Sequence, residues 1–107
     1  MHPYLDAHRE EISALCHRYG VRRLEVFGSA ADPQRFDATR SDIDLLVEFA
    51  QPVLERSYTD QYFGLLEDLS ALLRRPVDLV VERAVRNPYF LESLRTSRQV
   101  LYQAHVA

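Results

Sequence analysis

Between Tyr4 and Tyr19, the residues Leu5, Ile12, Leu15, Cys16 and Tyr19 fall on one stripe of a 3.6-residue period, with Asp6, Arg9, Glu10, Ser13 and His17 mostly elsewhere. This spacing predicts an amphipathic helix that ends at Gly20, with His17 and Arg18 in a last turn where positive groups suit the helix dipole. The period then shortens to two. Val21 to Phe27 reads as a strand with Leu24 and Val26 on one face and Glu25 and Phe27 on the other, stopping at Gly28-Ser29. Ala30 to Ser41 is polar and broken by Pro33, which predicts a short helical turn followed by a surface loop. In the next strand Ile43, Leu45, Val47 and Phe49 form one apolar face, while Asp42, Asp44, Leu46 and Glu48 form the other.

After Pro52, Ser57 is placed to cap a helix with Asp60 three residues on and a buried stripe of Tyr58, Tyr62, Leu65, Leu66, Leu69, Leu72 and Leu73. Arg74, Arg75 and Pro76 stop it. Val77 to Glu82 reads as a third strand, with Asp78 on the face shared by Val80 and Glu82. Asn87-Pro88 opens a last helix, to which Phe90, Leu91, Leu94, Leu101 and Tyr102 supply an apolar face. The order helix, strand, short helix, strand, helix, strand, helix, without an internal repeat, predicts one α+β domain over residues 1–107.

Composition narrows the chemistry. A chain of 107 residues with 47% hydrophobic and 27% charged residues can bury roughly two thirds of its surface, so a self-sufficient core is feasible. The single Cys16 excludes an intrachain disulfide framework and any multi-cysteine zinc site. Eight Asp and eight Glu stand against 13 Arg and no Lys, for a net charge of -3. A mildly acidic chain argues against direct nucleic-acid binding, and the absence of lysine excludes a Walker-type phosphate loop. The apolar runs are too short to span a bilayer and no basic leader precedes a hydrophobic stretch, so the expected location is the cytoplasm, with no membrane partner.

Against this background Asp42 and Asp44 are conspicuous, because two like charges project from one face at the start of a strand. Magnesium is the natural compensator, since it takes oxygen ligands and is often held by one or two carboxylates together with substrate phosphates; manganese is the alternative ion. A Gly28-Ser29 turn can bring backbone N–H groups and a hydroxyl toward such phosphates. Asp78, alone in an apolar strand, is the third carboxylate. Each word has an ordinary structural reading when taken singly: a commonplace turn, the solvent face of an edge strand, an exposed strand residue. Their order along the chain is what points to a metal-dependent phosphate chemistry.

That order resembles the minimal nucleotidyltransferases of the polymerase-beta superfamily, the antitoxin-type group called MNT domains. Gly-Ser at a strand-to-helix turn, Asp-x-Asp on the next strand and a third Asp on a later strand fall here on Gly28-Ser29, Asp42-Ile43-Asp44 and Asp78. The stretches Ser41 to Phe49, Pro76 to Val80 and Asn87 to Phe90 extend the resemblance over nearly the whole chain. It implies a small mixed β-sheet flanked by helices, in a polymerase-beta-like nucleotidyltransferase core. It also implies Asp42, Asp44 and Asp78 as catalytic and metal-binding residues, Gly28 and Ser29 as nucleotide-binding residues, Mg2+ or Mn2+ as cofactor, and ATP as the nucleoside triphosphate.

The implied reaction is transfer of AMP from ATP to a tyrosine hydroxyl of a partner protein, a HEPN-type ribonuclease toxin, with release of pyrophosphate. A binding module that neutralises its toxin without chemistry is a second reading. A small-molecule nucleotidyltransferase that builds its acceptor cleft across a homo-oligomer is a third. Two departures from the group matter: the stretch to Asp42 is slightly long, and where an Arg-Ala-Arg-Gly-like stretch commonly follows Gly-Ser this chain has Ala30-Ala31-Asp32-Pro33, which either weakens nucleotide binding or leaves positive groups to Arg35, Arg40 or a partner. An acid near the phosphates and a proline without an N–H are expected to weaken nucleotide binding.

Overall fold

The computed structural model describes residues 3–28, 42–50 and 57–104. The elements run α1 (Pro3–Asp6), α2 (Arg9–Arg18), β1 (Val21–Phe27), β2 (Ile43–Phe49), α3 (Tyr58–Leu73), β3 (Val77–Val81), a 3-10 turn (Glu82–Ala84), α4 (Pro88–Ser97) and β4 (Gln99–Gln103). The strands form one sheet in the order β3-β2-β1-β4. It is mixed: β2 and β3 are parallel, whereas β1 is antiparallel to both β2 and β4. A parallel pair needs a crossover, and α3 supplies it.

Alternation along the strands sorts their side chains onto two faces. On one face Leu24, Val26, Ile43, Leu45, Val47, Leu79 and Leu101 pack against Leu5, Ile12 and Cys16 and against Leu65, Leu69 and Leu73 of α3. Burial of each such side chain contributes about 1.5–3 kcal/mol, so this layer is the main source of stability. On the other face Phe27, Leu46 and Leu94, with Val80 and Phe90, form a smaller cluster under α4. This second face is also the one that carries Asp44 and Asp78, and α4 leaves both of them accessible to water.

The caps read from the sequence are present. The Ser57 hydroxyl accepts from Asp60 N at 3.1 Å, and the Asn87 side chain accepts from Tyr89 N and Phe90 N at the start of α4. Gln61, which the stripe of apolar residues passed over, is buried in α3 and donates to the Tyr19 carbonyl at 2.6 Å. Tyr58, assigned to that stripe, is instead 54% exposed.

Four expectations need correction. The first helix is broken at Ala7-His8 into α1 and α2, which lets Leu5 enter the core while the Tyr4 hydroxyl donates to the Leu73 carbonyl at the end of α3. β3 stops at Val81, and Glu82 turns into a 3-10 segment where two arginines hold its carboxylate. Leu101 and Tyr102 belong to a fourth strand, because β4 pairs with the outer edge of β1 and buries Leu101. Leu91, assigned to the apolar face of α4, is 42% exposed. The helical turn and loop expected over 30–41 lie outside the described residues.

Candidate active site

One end of the open face is built by three neighbouring strand ends. The register sets Asp44 opposite Asp78 across the parallel β2–β3 pair, and Phe27 opposite Asp44 across the antiparallel β1–β2 pair. Adjacent strands lie about 4.8 Å apart, so the two carboxylates are first neighbours. Asp42 precedes β2 by one residue and is exposed, as is Asp78, while Asp44 is half-buried between them.

Gly28 closes this corner. Its φ of +68° lies in the left-handed region, and a Cβ built there would stand 2.7 Å from Asp44 Oδ2. Any side chain would therefore collide with the carboxylate as well as strain the backbone. The chain turns away from β1 where only a glycine leaves Asp44 in place.

Burial pushes the Asp44 carboxyl above the usual carboxylate range, and the charges of Asp78 and then Asp42 push it further. Among the described residues, no cationic side chain pairs with it, and the ion pairs are drawn from elsewhere on the protein. A cation bound beside Asp44 would offset this repulsion, and a proton would relieve it by removing charge.

The opposite end of the face is neutralised. Glu25, buried in β1, accepts from Arg98 Nε at 2.7 Å and Arg98 Nη2 at 2.6 Å, and Arg23 Nε stands 2.7 Å from the same carboxylate. Glu82 bridges the two arginines at 2.8 Å each, and Glu48 lies 3.1 Å from Arg23. Burial works against the Glu82 charge, but the hydrogen bonds from Arg98 and Arg23 outweigh it and hold this carboxyl below its usual range. This network was not read from the sequence. Its only signal was Glu25 in an otherwise apolar stretch of β1.

Between the two ends, α4 lies on the face with its N-terminal turn toward the acidic corner. Phe90 meets Phe27 edge-on with ring centroids 5.5 Å apart, and Phe27 is the residue opposite Asp44. Tyr89, in the same turn, is 86% exposed.

The structure thus gathers Gly28, Asp44 and Asp78 and sets Asp42 near enough for its charge to act on Asp44. Ser29 and the segment Ala30-Ala31-Asp32-Pro33 lie outside the described residues. Among the described residues, no group of three or more His, Cys, Asp and Glu is positioned to hold a metal ion. The donor set nonetheless fits magnesium, which needs only one or two carboxylates when phosphates and water complete its shell. The side-chain-free Gly28 leaves room beside Asp44 Oδ2 for such an ion.

A nucleotidyltransferase domain model matches residues 8–101, and the chain belongs to that family. Within it the protein is a minimal nucleotidyltransferase domain of the polymerase-beta superfamily. A Methanocaldococcus jannaschii protein, provisionally named a protein adenylyltransferase, is 37% identical over 89 residues, covering 83% of this chain and 85% of that one. A solved structure provisionally described as a minimal nucleotidyltransferase is 34% identical, with a TM-score of 0.69 over 92% of this chain and 95% of the other. The fold is also that of a chain in the complex of a tri-AMPylated Shewanella oneidensis HEPN toxin with its MNT antitoxin (20% identity, TM-score 0.62, 94% of this chain and 73% of that one). Among the described residues, no helix is long and apolar enough to cross a membrane.

Proposed function

We propose that this chain, acting in the cytoplasm as one domain over residues 1–107, transfers AMP from ATP to a tyrosine hydroxyl of a HEPN-type ribonuclease toxin. The observation that carries the reading is the register of Asp44 with Asp78 beside Gly28, an acidic corner with no ion pair among the described residues, on a nucleotidyltransferase fold. Names given to relatives support the acceptor: a protein adenylyltransferase in one case, and an AMPylated HEPN toxin bound to its antitoxin in another.

In this mechanism Asp42, Asp44 and Asp78 would be the residues to hold Mg2+ or Mn2+, with phosphate oxygens and water completing the shell, and Gly28 and Ser29 would line the phosphates. The bound metal supplies charge stabilisation for the entering and leaving oxygens of an in-line displacement. The tyrosyl oxygen gives up its proton to solvent and attacks the α-phosphorus, the bond from that phosphorus to the α–β bridging oxygen breaks, and pyrophosphate leaves with that oxygen. Asp44 and Asp78 fix the centre of the site, because their strands are locked by the sheet. Asp78, exposed on the edge strand β3, faces the side from which a partner's hydroxyl can approach, and alignment of that hydroxyl falls to the partner's own fold.

Incubation of the purified toxin with this chain, ATP and magnesium, followed by mass spectrometry, tests the reading. An added AMP on a toxin tyrosine is expected, and its loss with Asp78→Asn while the complex persists. A toxin that is silenced without gaining AMP would replace this reading with neutralisation by binding alone, a reading favoured by the missing arginines of Ala30-Ala31-Asp32-Pro33.

A further inference from the structure

Arg74 is the one described residue other than glycine with a positive φ. It follows Leu73 at the end of α3 with φ 53° and ψ 39°, in the left-handed conformation that glycine adopts without a steric penalty. A glycine there would end the helix equally well. An arginine in this position suits the negative end of the helix dipole, and its strained backbone prompts the question of what else its side chain does.

The position of Arg74 indicates the use. β3 begins three residues later at Val77, opposite Ile43, and Ile43 N donates to the Pro76 carbonyl at 3.0 Å. The turn from α3 to β3 therefore lies beside the residue preceding Ile43, which is Asp42, at the same end of the sheet as Asp44 and Asp78. Arg74 is exposed and has no ion pair among the described residues.

The other arginines near this face are engaged. Arg23 and Arg98 are held by Glu25, Glu48 and Glu82 at the far end, and the guanidinium of Arg75 lies over the Tyr4 ring at 5.9 Å. Directly after Gly28-Ser29 the four residues Ala30-Ala31-Asp32-Pro33 contribute no arginine, and Arg35 and Arg40 lie outside the described residues. A triphosphate bound at a corner of three carboxylates needs positive charge beyond what one or two metal ions bring.

We propose that Arg74 is a phosphate-binding residue of this chain, its guanidinium pairing with the polyphosphate of the bound nucleoside triphosphate from the α3–β3 turn. The inference rests on the nucleotide-binding part of the proposed function and is independent of what the acceptor is. Arginine suits the role because its planar fork matches phosphate oxygens and stays charged at any relevant pH.

The test compares the parent chain with Arg74→Gly and Arg74→Lys, by calorimetry with ATP and with inorganic tripolyphosphate in magnesium and by thermal melts. Arg74→Gly removes charge and strain together, so its melting temperature should equal or exceed the parent's while both ligands bind about tenfold more weakly. Arg74→Lys keeps the charge and should stay within about threefold of the parent. Parent-like affinity of Arg74→Gly for both ligands would overturn the proposal, as would weakening toward ATP alone, or an equal loss in both variants. A parent that binds neither ligand would overturn the nucleotide-binding reading and this proposal with it. A parent that binds ATP, with the expected Arg74 pattern, but leaves the toxin unmodified would remove only the transfer step.

Discussion

The open face of the sheet holds two acidic groups that share strands and differ in one respect. At one end Asp42, Asp44 and Asp78 lie together with no ion pair to a positive side chain among the described residues, and burial and the neighbouring charges raise the pKa of the Asp44 carboxyl. At the other end Glu25, Glu48 and Glu82 are threaded by Arg23 and Arg98. Between them sit the Phe27, Leu46 and Leu94 cluster and α4. Carboxylates supplied with arginines stabilise the fold, because the buried charge is returned as hydrogen bonds. Carboxylates left without them cost stability and wait for a cation from outside. The same fold keeps both, and the contrast is what the proposed function builds on: structure at one end, chemistry at the other.

The largest expected effect would come from removing charge at the uncompensated end. On the proposed function, Asp44→Asn should lower AMP transfer by at least about a thousandfold, because Asp44 would there be a metal ligand on which the transition-state charge depends. The same substitution should leave folding intact, since it removes one of three like charges. Radiolabel transfer from ATP together with circular dichroism checks both statements. At the neutralised end the expectation is reversed: Arg98→Ala should cost about 2–3 kcal/mol of stability by leaving Glu25 buried with only Arg23 as partner. Urea unfolding measures that loss. Any fall in transfer rate should follow only from the fraction unfolded.

The two ends also differ in how much of them the sequence carried. The acidic corner was legible because its residues come in short words with a local logic: Gly-Ser after a strand, and two Asp at a spacing of two. The strand period put Asp42 and Asp44 on one face, and the register then paired Asp44 with Asp78. The arginine network joins residues as far as 73 positions apart, and no periodicity encodes that. β4 escaped for a related reason. Leu101 and Tyr102 continue the 3.6-residue spacing of Leu94, no Gly or Pro separates α4 from Gln99, and the partner that makes them a strand is β1, far earlier in the chain. Caps were legible because a Ser or Asn bonds its own next turn. The break at Ala7-His8 was not, because it depends on where Tyr4 meets the end of α3.

A smaller effect should follow from crowding the acidic corner without changing its charge. Gly28→Ala places a methyl 2.7 Å from Asp44 Oδ2 and demands a left-handed alanine. The carboxylate must move, so transfer should fall about tenfold or more while the melting temperature drops by the equivalent of about 1–2 kcal/mol. An alanine variant with parental activity would show that Asp44 is free to shift and that the corner is not held as tightly as its glycine implies.

The smallest effect is the one that separates the two ends most directly, because acid should act on them with opposite sign. In the metal-free protein the Asp44 carboxyl titrates above its unfolded value, so the folded state holds this proton more tightly and stability falls as pH rises from the unfolded to the folded value. Glu82 titrates below its unfolded value, so its contribution is present above that value and is lost as pH falls through the folded one. Asp44→Asn removes the first dependence and Glu82→Gln the second. With EDTA present, urea unfolding from pH 3 to 7 should show Asp44→Asn gaining on the parent toward neutrality, and Glu82→Gln losing to it over the same range. Each difference should stay within about 1 kcal/mol, since both groups are partly exposed and water screens their partners. Two differences of the same sign would mean that the acidic corner finds a compensating cation within the folded chain, and the contrast between the ends would fail.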